Sequence, residues 1–128
     1  MTLHAVGSFE VEMRPAAAEL DGASERVEFT KTFTGEIDGT SVGVMLSGGD
    51  PSAGTAGYVA IEIFRGRVHD QSGSFMLQQF GQMHDGEQRL HYEIVNGSGA
   101  DGLEGIRGGL DLTIDDSGHH VDLAYTLP

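Results

Sequence analysis

The chain has 128 residues, 7 of them basic and 20 acidic, and its net charge of -13 repels phosphate backbones and anionic lipid, so neither a nucleic acid nor a membrane is expected as a partner. This length predicts a single domain, 1–128, and 38% hydrophobic residues suffice for a buried core. The chain contains no cysteine, which excludes disulfides, a thiol nucleophile and sulfur ligands to zinc, and which fits a reducing cytoplasm.

Short alternating segments predict β-strands along most of the chain. Twenty glycines against three prolines are scattered at turn-like positions, and no stretch keeps a sustained helical period. The predicted strands span 3–13, 24–35, 39–47, 55–68, 73–84, 87–95, 106–114 and 119–127. About eight evenly spaced strands are typical of an antiparallel barrel or sandwich, so the fold class is all-β.

The connections between these strands have the composition of tight turns. Asp38-Gly39, Asp85-Gly86 and Asp116-Ser117-Gly118 combine residues that tolerate positive φ, which hairpin turns require. Between the first two strands, Pro15 to Leu20 fits one helical turn and fits a loop equally well.

Alternation divides the strand residues into an apolar and a polar face, and we expect the apolar face to point into the barrel. This inward set is Phe9, Val11, Met13, Phe29, Lys31, Phe33, Val42, Val44, Leu46, Tyr58, Ala60, Glu62, Phe64, Phe75, Leu77, Gln79, Leu90, Tyr92, Ile94, Leu110, Leu112, Ile114, Leu123, Tyr125 and Leu127. Strand 55–68 is apolar on both faces, so another subunit or the loop near Ala16 is expected to cover its outer side.

Three polar, non-aromatic side chains interrupt the inward set: Lys31, Glu62 and Gln79. Lys31 is the only lysine, and an unpaired ammonium inside a barrel carries a large desolvation cost. Since Glu62 is the only inward carboxylate, we predict a Lys31–Glu62 pair. Its expected hydrogen-bond partners are Gln79, Tyr58, Tyr92, Tyr125 or water.

Two interpretations of this pair stay open, because an eight-stranded barrel is just wide enough to be filled by side chains or to hold one small ligand. In the first, the polar residues form a structural network. In the second, they line a ligand pocket in which Glu62 is a general acid or base, or an anchor for a polar substituent, and Lys31 stabilises developing negative charge.

The six histidines and a glycine-rich segment are candidates for metal, haem or phosphate sites, and the sequence favours none of these. No histidine falls in the inward set, and the adjacent His119 and His120 point to opposite faces, so no metal or haem site is predicted. The segment 96–109 precedes a strand and not a helix, and Asp101 and Glu104 would repel a phosphate. We expect a wide turn with bulges at the barrel rim.

Several segments carry a family resemblance: Gly7-Ser8-Phe9-Glu10-Val11, Thr30-Lys31-Thr32-Phe33-Thr34-Gly35, Tyr58-Val59-Ala60-Ile61-Glu62, Ser72-Gly73-Ser74-Phe75-Met76-Leu77-Gln78, Gly97-Ser98-Gly99, Leu103-Glu104-Gly105-Ile106-Arg107-Gly108 and Leu123-Ala124-Tyr125. In this order they resemble the family called Domain of Unknown Function 3224. The resemblance implies a small antiparallel barrel similar to allene oxide cyclases and dirigent proteins, with a lumen pocket and a tendency to oligomerise. Family members tend to have Trp at the position of Met13 and His at that of Gln79, whereas Lys31 and Glu62 match the family pattern.

These observations predict a single β-barrel, resembling allene oxide cyclases, that binds one small, largely apolar molecule without a cofactor. If the protein is an enzyme, it would be a cofactor-independent cyclase or isomerase with Glu62 and Lys31 as catalytic residues. The predicted ligand-binding residues are Gln79, Tyr58, Tyr92, Tyr125, Phe29, Phe33 and Phe64. The alternative is a non-catalytic homo-oligomeric or partner-binding module. We expect a homo-oligomer in the cytoplasm, because Met1 to Gly7 lacks the pattern of a secretory signal and no apolar run reaches the ~20 residues of a membrane span.

Overall fold

Nearly all of the chain is extended, as the alternation predicts. The computed structural model describes residues 1–17, 23–85 and 87–128. The strands are β1 (Leu3–Ala16), β2 (Ala23–Gly35), β3 (Ile37–Asp50), β4 (Thr55–Val68), β5 (Gln71–His84), β6 (Glu87–Ile94), β7 (Ala100–Asp101), β8 (Arg107–Asp115) and β9 (Gly118–Thr126), and a short 3-10 helix spans Pro51–Ala53. No described helix has the length and apolar character needed to cross a membrane.

Eight antiparallel strands close into a barrel, which confirms the predicted fold class. The order in the sheet is β4-β3-β2-β1-β9-β8-β6-β5-β7, and β4 also pairs with β5 along its whole length. The β6–β8 junction has the shortest ladder of the barrel, a single registered pair of Glu93 with Gly109.

The segment between β6 and β8 closes one end of the barrel. Within it, β7 pairs with β5, and Leu103 and Ile106 are fully buried among the core residues. The predicted rim turn therefore also supplies an apolar plug, and we call this the closed end. The opposite end, where the β3–β4, β5–β6 and β8–β9 connections lie, is called the far end.

Most of the predicted inward residues are buried. Those that the structure buries are Phe9, Phe29, Lys31, Phe33, Ala60, Glu62, Phe64, Phe75, Leu77, Tyr92, Ile94, Leu110, Leu123 and Tyr125. Met13, Leu90 and Ile114, however, are exposed, because β1, β6 and β8 extend beyond the packed core at the far end.

The prediction for β3 was wrong, since this strand turns its other face inward. Val42 and Val44 are 58% and 40% exposed, whereas Ser41 and Gly43 are buried. Leu46 follows the same outward alternation and is only half-buried.

The β3–β4 ladder explains the reversal. Gly43 pairs with Glu62, and paired residues share a face, so Glu62 points inward only if Gly43 does. Gly43 also leaves room for the ring of Phe29, whose Cζ lies 2.5 Å from the place where a Cβ would stand. Only small residues of β3 fit into the interior at this level, so Ser41 and Gly43 point inward and the valines point to the outside of the barrel.

The first predicted hairpin turn was also wrong. Asp38 and Gly39 lie within β3, and the chain reverses earlier, at Gly35 and Glu36. Gly35 has a φ of 120°, and Glu36 donates its N–H to the carbonyl of Val6 at 2.9 Å. Of the predicted helical turn or loop at 15–20, Pro15 and Ala16 belong to β1, and residues 18–22 lie outside the described residues.

Candidate functional site

Lys31 and Glu62 meet inside the barrel as an ion pair. Lys31 lies on β2 and Glu62 on β4, and each follows the inward alternation of its strand. The Nζ of Lys31 is 2.9 Å from Oε1 of Glu62, and the two residues are only 6% and 1% exposed. The predicted pair is therefore present, and it is buried.

Tyr92 on β6 and Ser41 on β3 complete this arrangement. The Tyr92 hydroxyl donates to Glu62 Oε1 at 2.5 Å and accepts from Lys31 Nζ at 2.9 Å. The Ser41 hydroxyl donates to Glu62 Oε2 at 2.5 Å. Three donors thus stabilise the carboxylate charge, and no buried side-chain nitrogen or oxygen of the described residues lacks a partner. We call Lys31, Ser41, Glu62 and Tyr92 the interior cluster.

Aromatic rings surround the ammonium on its other sides. Lys31 Nζ is 4.7 Å from the ring centroid of Phe9, 5.1 Å from that of Phe29 and 5.0 Å from that of Tyr92. A desolvated cation gains about 2 kcal/mol from such a contact, so the rings replace part of the lost hydration.

Burial changes the acidity of two members of the interior cluster. Desolvation lowers the pKa of the Lys31 ammonium, although the charge and the hydrogen bond of Glu62 oppose this effect. Desolvation raises the pKa of Tyr92 well above its ordinary value, and the Glu62 charge raises it further. Tyr92 therefore keeps its proton, and Lys31 releases its own more readily than an exposed lysine does.

A second polar pair lies beside the interior cluster, toward the far end. The Tyr58 hydroxyl donates to Gln79 Oε1 at 3.2 Å, and both residues are half-buried. Gln79 is also the registered partner of Tyr92. The Tyr58 ring lies against Gly81, where a Cβ would collide with it, and burial raises the pKa of Tyr58.

The three phenylalanines predicted to bind a ligand flank the ion pair, two on one side and one on the other. Phe33 and Phe64 are on its closed-end side, with ring centroids 5.6 Å apart in an edge-on arrangement. Phe29 is on its far-end side, above Gly43. The charged groups therefore lie between two layers of aromatic carbon.

The structure does not bring Tyr125 to the interior cluster. Its hydroxyl is 2.5 Å from Nδ1 of His69, whose Nε2 is 3.6 Å from Oε2 of Glu36. These three residues lie at the closed end, near the β2–β3 and β4–β5 turns. Burial raises the pKa of Tyr125, and the charges of Glu36 and Asp70 raise it further.

Alternation misses Ser41 and Gly43, because their neighbours Val42 and Val44 are more apolar. The register of the β3–β4 hairpin, unlike alternation, predicts which face of β3 points inward. The chain reverses around Pro51–Ala53, and residues equidistant from that reversal pair, which places Gly43 opposite Glu62.

The histidines lie outside the interior cluster. His4, His84 and His91 are exposed, and each is beside a carboxylate. His119 stacks on Phe9 with ring centroids 4.8 Å apart. Within residues 1–17, 23–85 and 87–128, no three His, Asp or Glu side chains are grouped as a metal ion requires.

The fold and the site define a class of small antiparallel β-barrel with a lysine–glutamate pair in its interior. A family model described as a protein of unknown function, DUF3224, matches residues 5–125, and this chain belongs to that family. The chain is similar to the crystal structure of a DUF3224 protein with unknown function from Shewanella oneidensis MR-1. The two share 37% sequence identity and a TM-score of 0.93, over 100% of this chain and 98% of that one. No curated protein matches this chain.

Proposed function

We propose that the barrel interior binds a small, largely apolar molecule and holds one of its polar atoms against the interior cluster. The observation that carries the proposal is the buried Lys31–Glu62 pair, which is hydrogen-bonded by Tyr92. Apolar residues of similar size often stabilise an interior as well as an ion pair does. The burial of two charges in the barrel interior therefore supports a chemical role, since perturbed charged groups cluster at functional sites.

The ammonium supplies the contact for the polar atom of the ligand. Lys31 donates to Glu62 and to Tyr92, and its third N–H, which lies among the aromatic rings, would donate to a carbonyl or hydroxyl oxygen of a ligand that enters between them. Phe29, Phe33 and Phe64 would contact the apolar part of the ligand, since they lie on both sides of the cluster.

The same groups would support a cofactor-free cyclisation or isomerisation. Glu62 would accept a proton from one atom of the ligand and return it to another, so that no proton is consumed overall. Lys31 would stabilise the negative charge that develops on the ligand oxygen between the two transfers. Tyr58 and Gln79 would hold a second polar group of the ligand on the far-end side.

The second candidate function is a non-catalytic homo-oligomeric or partner-binding module, with the interior cluster as a structural network. The exposed apolar side chains of β4 favour it. Oligomerisation by itself is compatible with the first function, because it uses the opposite face of the same strands, whereas the two roles of the interior cluster exclude each other. We place the protein in the cytoplasm, which suits a chain without cysteine.

Fluorescence titration with N-phenyl-1-naphthylamine, a neutral apolar probe, tests the binding proposal. We expect saturable binding of one probe per chain, weakened about tenfold by Glu62→Gln, a loss of about 1.4 kcal/mol. Glu10→Gln, the same substitution at an exposed position of β1, is the matched control and should leave the affinity unchanged. No saturable binding by the wild type, or equal weakening by both variants, would contradict the proposal.

A further inference from the structure

The outer face of the β3–β5 sheet carries a continuous apolar patch. The strand registers align its side chains in three rows that run across the strands. The rows are Val42, Ile63 and Met76; Val44 and Ile61; and Leu46, Val59 and Phe80. We call these eight residues the apolar outer face.

Most of these side chains are in contact with water. Val42, Val59 and Phe80 are 58%, 57% and 55% exposed, and Ile61 is 49% exposed. Together the eight residues present several hundred Å² of apolar surface, against about 300–600 Å² for the largest patch of a typical monomer. The outward positions of β1 are mostly polar by contrast, as at Glu10 and Glu12, with Val6 as an exception. The β3–β5 side of the barrel is therefore suited to contact another protein surface.

A groove runs across the apolar outer face. Its volume is about 460 Å³, and its apolar lining includes Val44, Leu46, Val59 and Ile61. Phe80 borders it and stacks on His91, with ring centroids 5.2 Å apart. The face thus contains both an exposed aromatic side chain and an apolar depression beside it.

We propose that a second copy of this chain covers the apolar outer face in a two-fold symmetric dimer. A two-fold axis places the same patch opposite itself, so Phe80 of each copy enters the groove of the other. A stable dimer buries about 800 Å² on each partner. The apolar outer face supplies most of that area, and Gln78, His91 and Glu93 beside it complete the area as a polar rim.

Charge does not prevent a second copy of this chain from being the occupant. Each copy has a net charge of -13, yet none of the eight residues of the apolar outer face is charged. Two copies approach with the least repulsion through this surface, and the apolar area that they bury there holds them together. Because salt screens the remaining repulsion, the dimer tightens as the salt concentration rises.

Sedimentation velocity from about 5 to about 200 µM protein tests the dimer. We expect a two-chain species whose fraction grows between about 0.05 M and about 0.5 M NaCl. Ile61→Glu should weaken association about 100-fold and Phe80→Ala about tenfold. Ile114→Glu is the matched control, since Ile114 is 65% exposed on β8, outside the patch, and it should leave association unchanged.

A crosslink locates the interface. The chain has no cysteine, so Ile61→Cys introduces a single thiol, and a bismaleimide with a spacer of about 10 Å matches the separation of packed sheets. We expect crosslinked dimers from Ile61→Cys and none from Ile114→Cys. A single-chain species at every concentration, or association that both Ile61→Glu and Phe80→Ala leave intact, overturns the proposal. Neither result bears on ligand binding in the interior, which the Glu62→Gln titration tests separately.

Discussion

Lys31 and Glu62 meet 2.9 Å apart across a strand to which neither belongs. β3 lies between β2 and β4, and at this level it turns Ser41 and Gly43 inward. The two long side chains pass over these small residues, and Ser41 adds a hydrogen bond to the carboxylate. The inward face of β3 is therefore what allows the ion pair to form.

Removal of one charge of the pair should destabilise the barrel more than removal of both. Lys31→Met leaves the Glu62 carboxylate buried without its counter-charge, and we expect a loss of about 3–5 kcal/mol in the free energy of unfolding. The double variant Lys31→Met/Glu62→Leu removes both charges and should recover most of that loss. Urea denaturation of the wild type, both single variants and the double variant measures the cycle. Additive effects of the two substitutions would show that the charges are not coupled.

A methyl group at Gly43 should disrupt the interior cluster. The Cβ of Gly43→Ala would stand 2.5 Å from both Phe29 Cζ and the backbone oxygen of Ile61 and 2.7 Å from Glu62 Cβ, so the Phe29 ring and the β4 backbone must both move. We expect a loss of about 1–3 kcal/mol in the free energy of unfolding. Gly57→Ala on β4 is the matched control, because the nearest atom to its Cβ is 3.7 Å away. Equal stabilities of the two variants in urea denaturation would count against the crowding at Gly43.

The plug at the closed end should contribute strongly to stability. Ile106 is fully buried, whereas Ile114 is 65% exposed. The same Ile→Ala substitution at the two positions therefore differs only in how much buried apolar surface it removes. We expect Ile106→Ala to lower the free energy of unfolding by about 2–5 kcal/mol and Ile114→Ala to lower it by less than about 0.5 kcal/mol. Thermal and urea denaturation measure both variants. Similar losses would mean that the segment between β6 and β8 does not act as part of the core.

The three tyrosines should ionise late in the folded protein. Burial raises the pKa of Tyr58, Tyr92 and Tyr125, so we expect the native chain to show less tyrosinate absorbance near pH 10 than the chain unfolded in urea. The native state then holds protons that the unfolded state has released. This contribution to stability is complete below the unfolded pKa of about 10 and is lost as pH rises through the folded values.

The free energy of unfolding should therefore fall in that alkaline range. The lowered pKa of Lys31 acts in the opposite direction, because the unfolded lysine holds its proton up to about pH 10.4. For this reason the absorbance titration is the direct measurement. Superimposable titrations of native and unfolded protein would contradict the burial of the tyrosine hydroxyls.

The sequence by itself determined which residues of each strand share a face of the sheet and that the inward Lys31 requires a carboxylate as counter-charge. Alternation, turn composition and a lone lysine predicted about eight strands in an antiparallel barrel or sandwich and the Lys31–Glu62 pair, because a two-residue period and a desolvation cost are properties of the residues themselves. The family resemblance selected the barrel. Only the tertiary structure decided which face of β3 is inward, that Leu103 and Ile106 plug the closed end, and that Tyr92 and not Tyr125 contacts the pair. These outcomes depend on the register between strands and on where distant segments pack. Alternation is local, and it cannot distinguish an apolar face that fills the interior from one that lies on the outside.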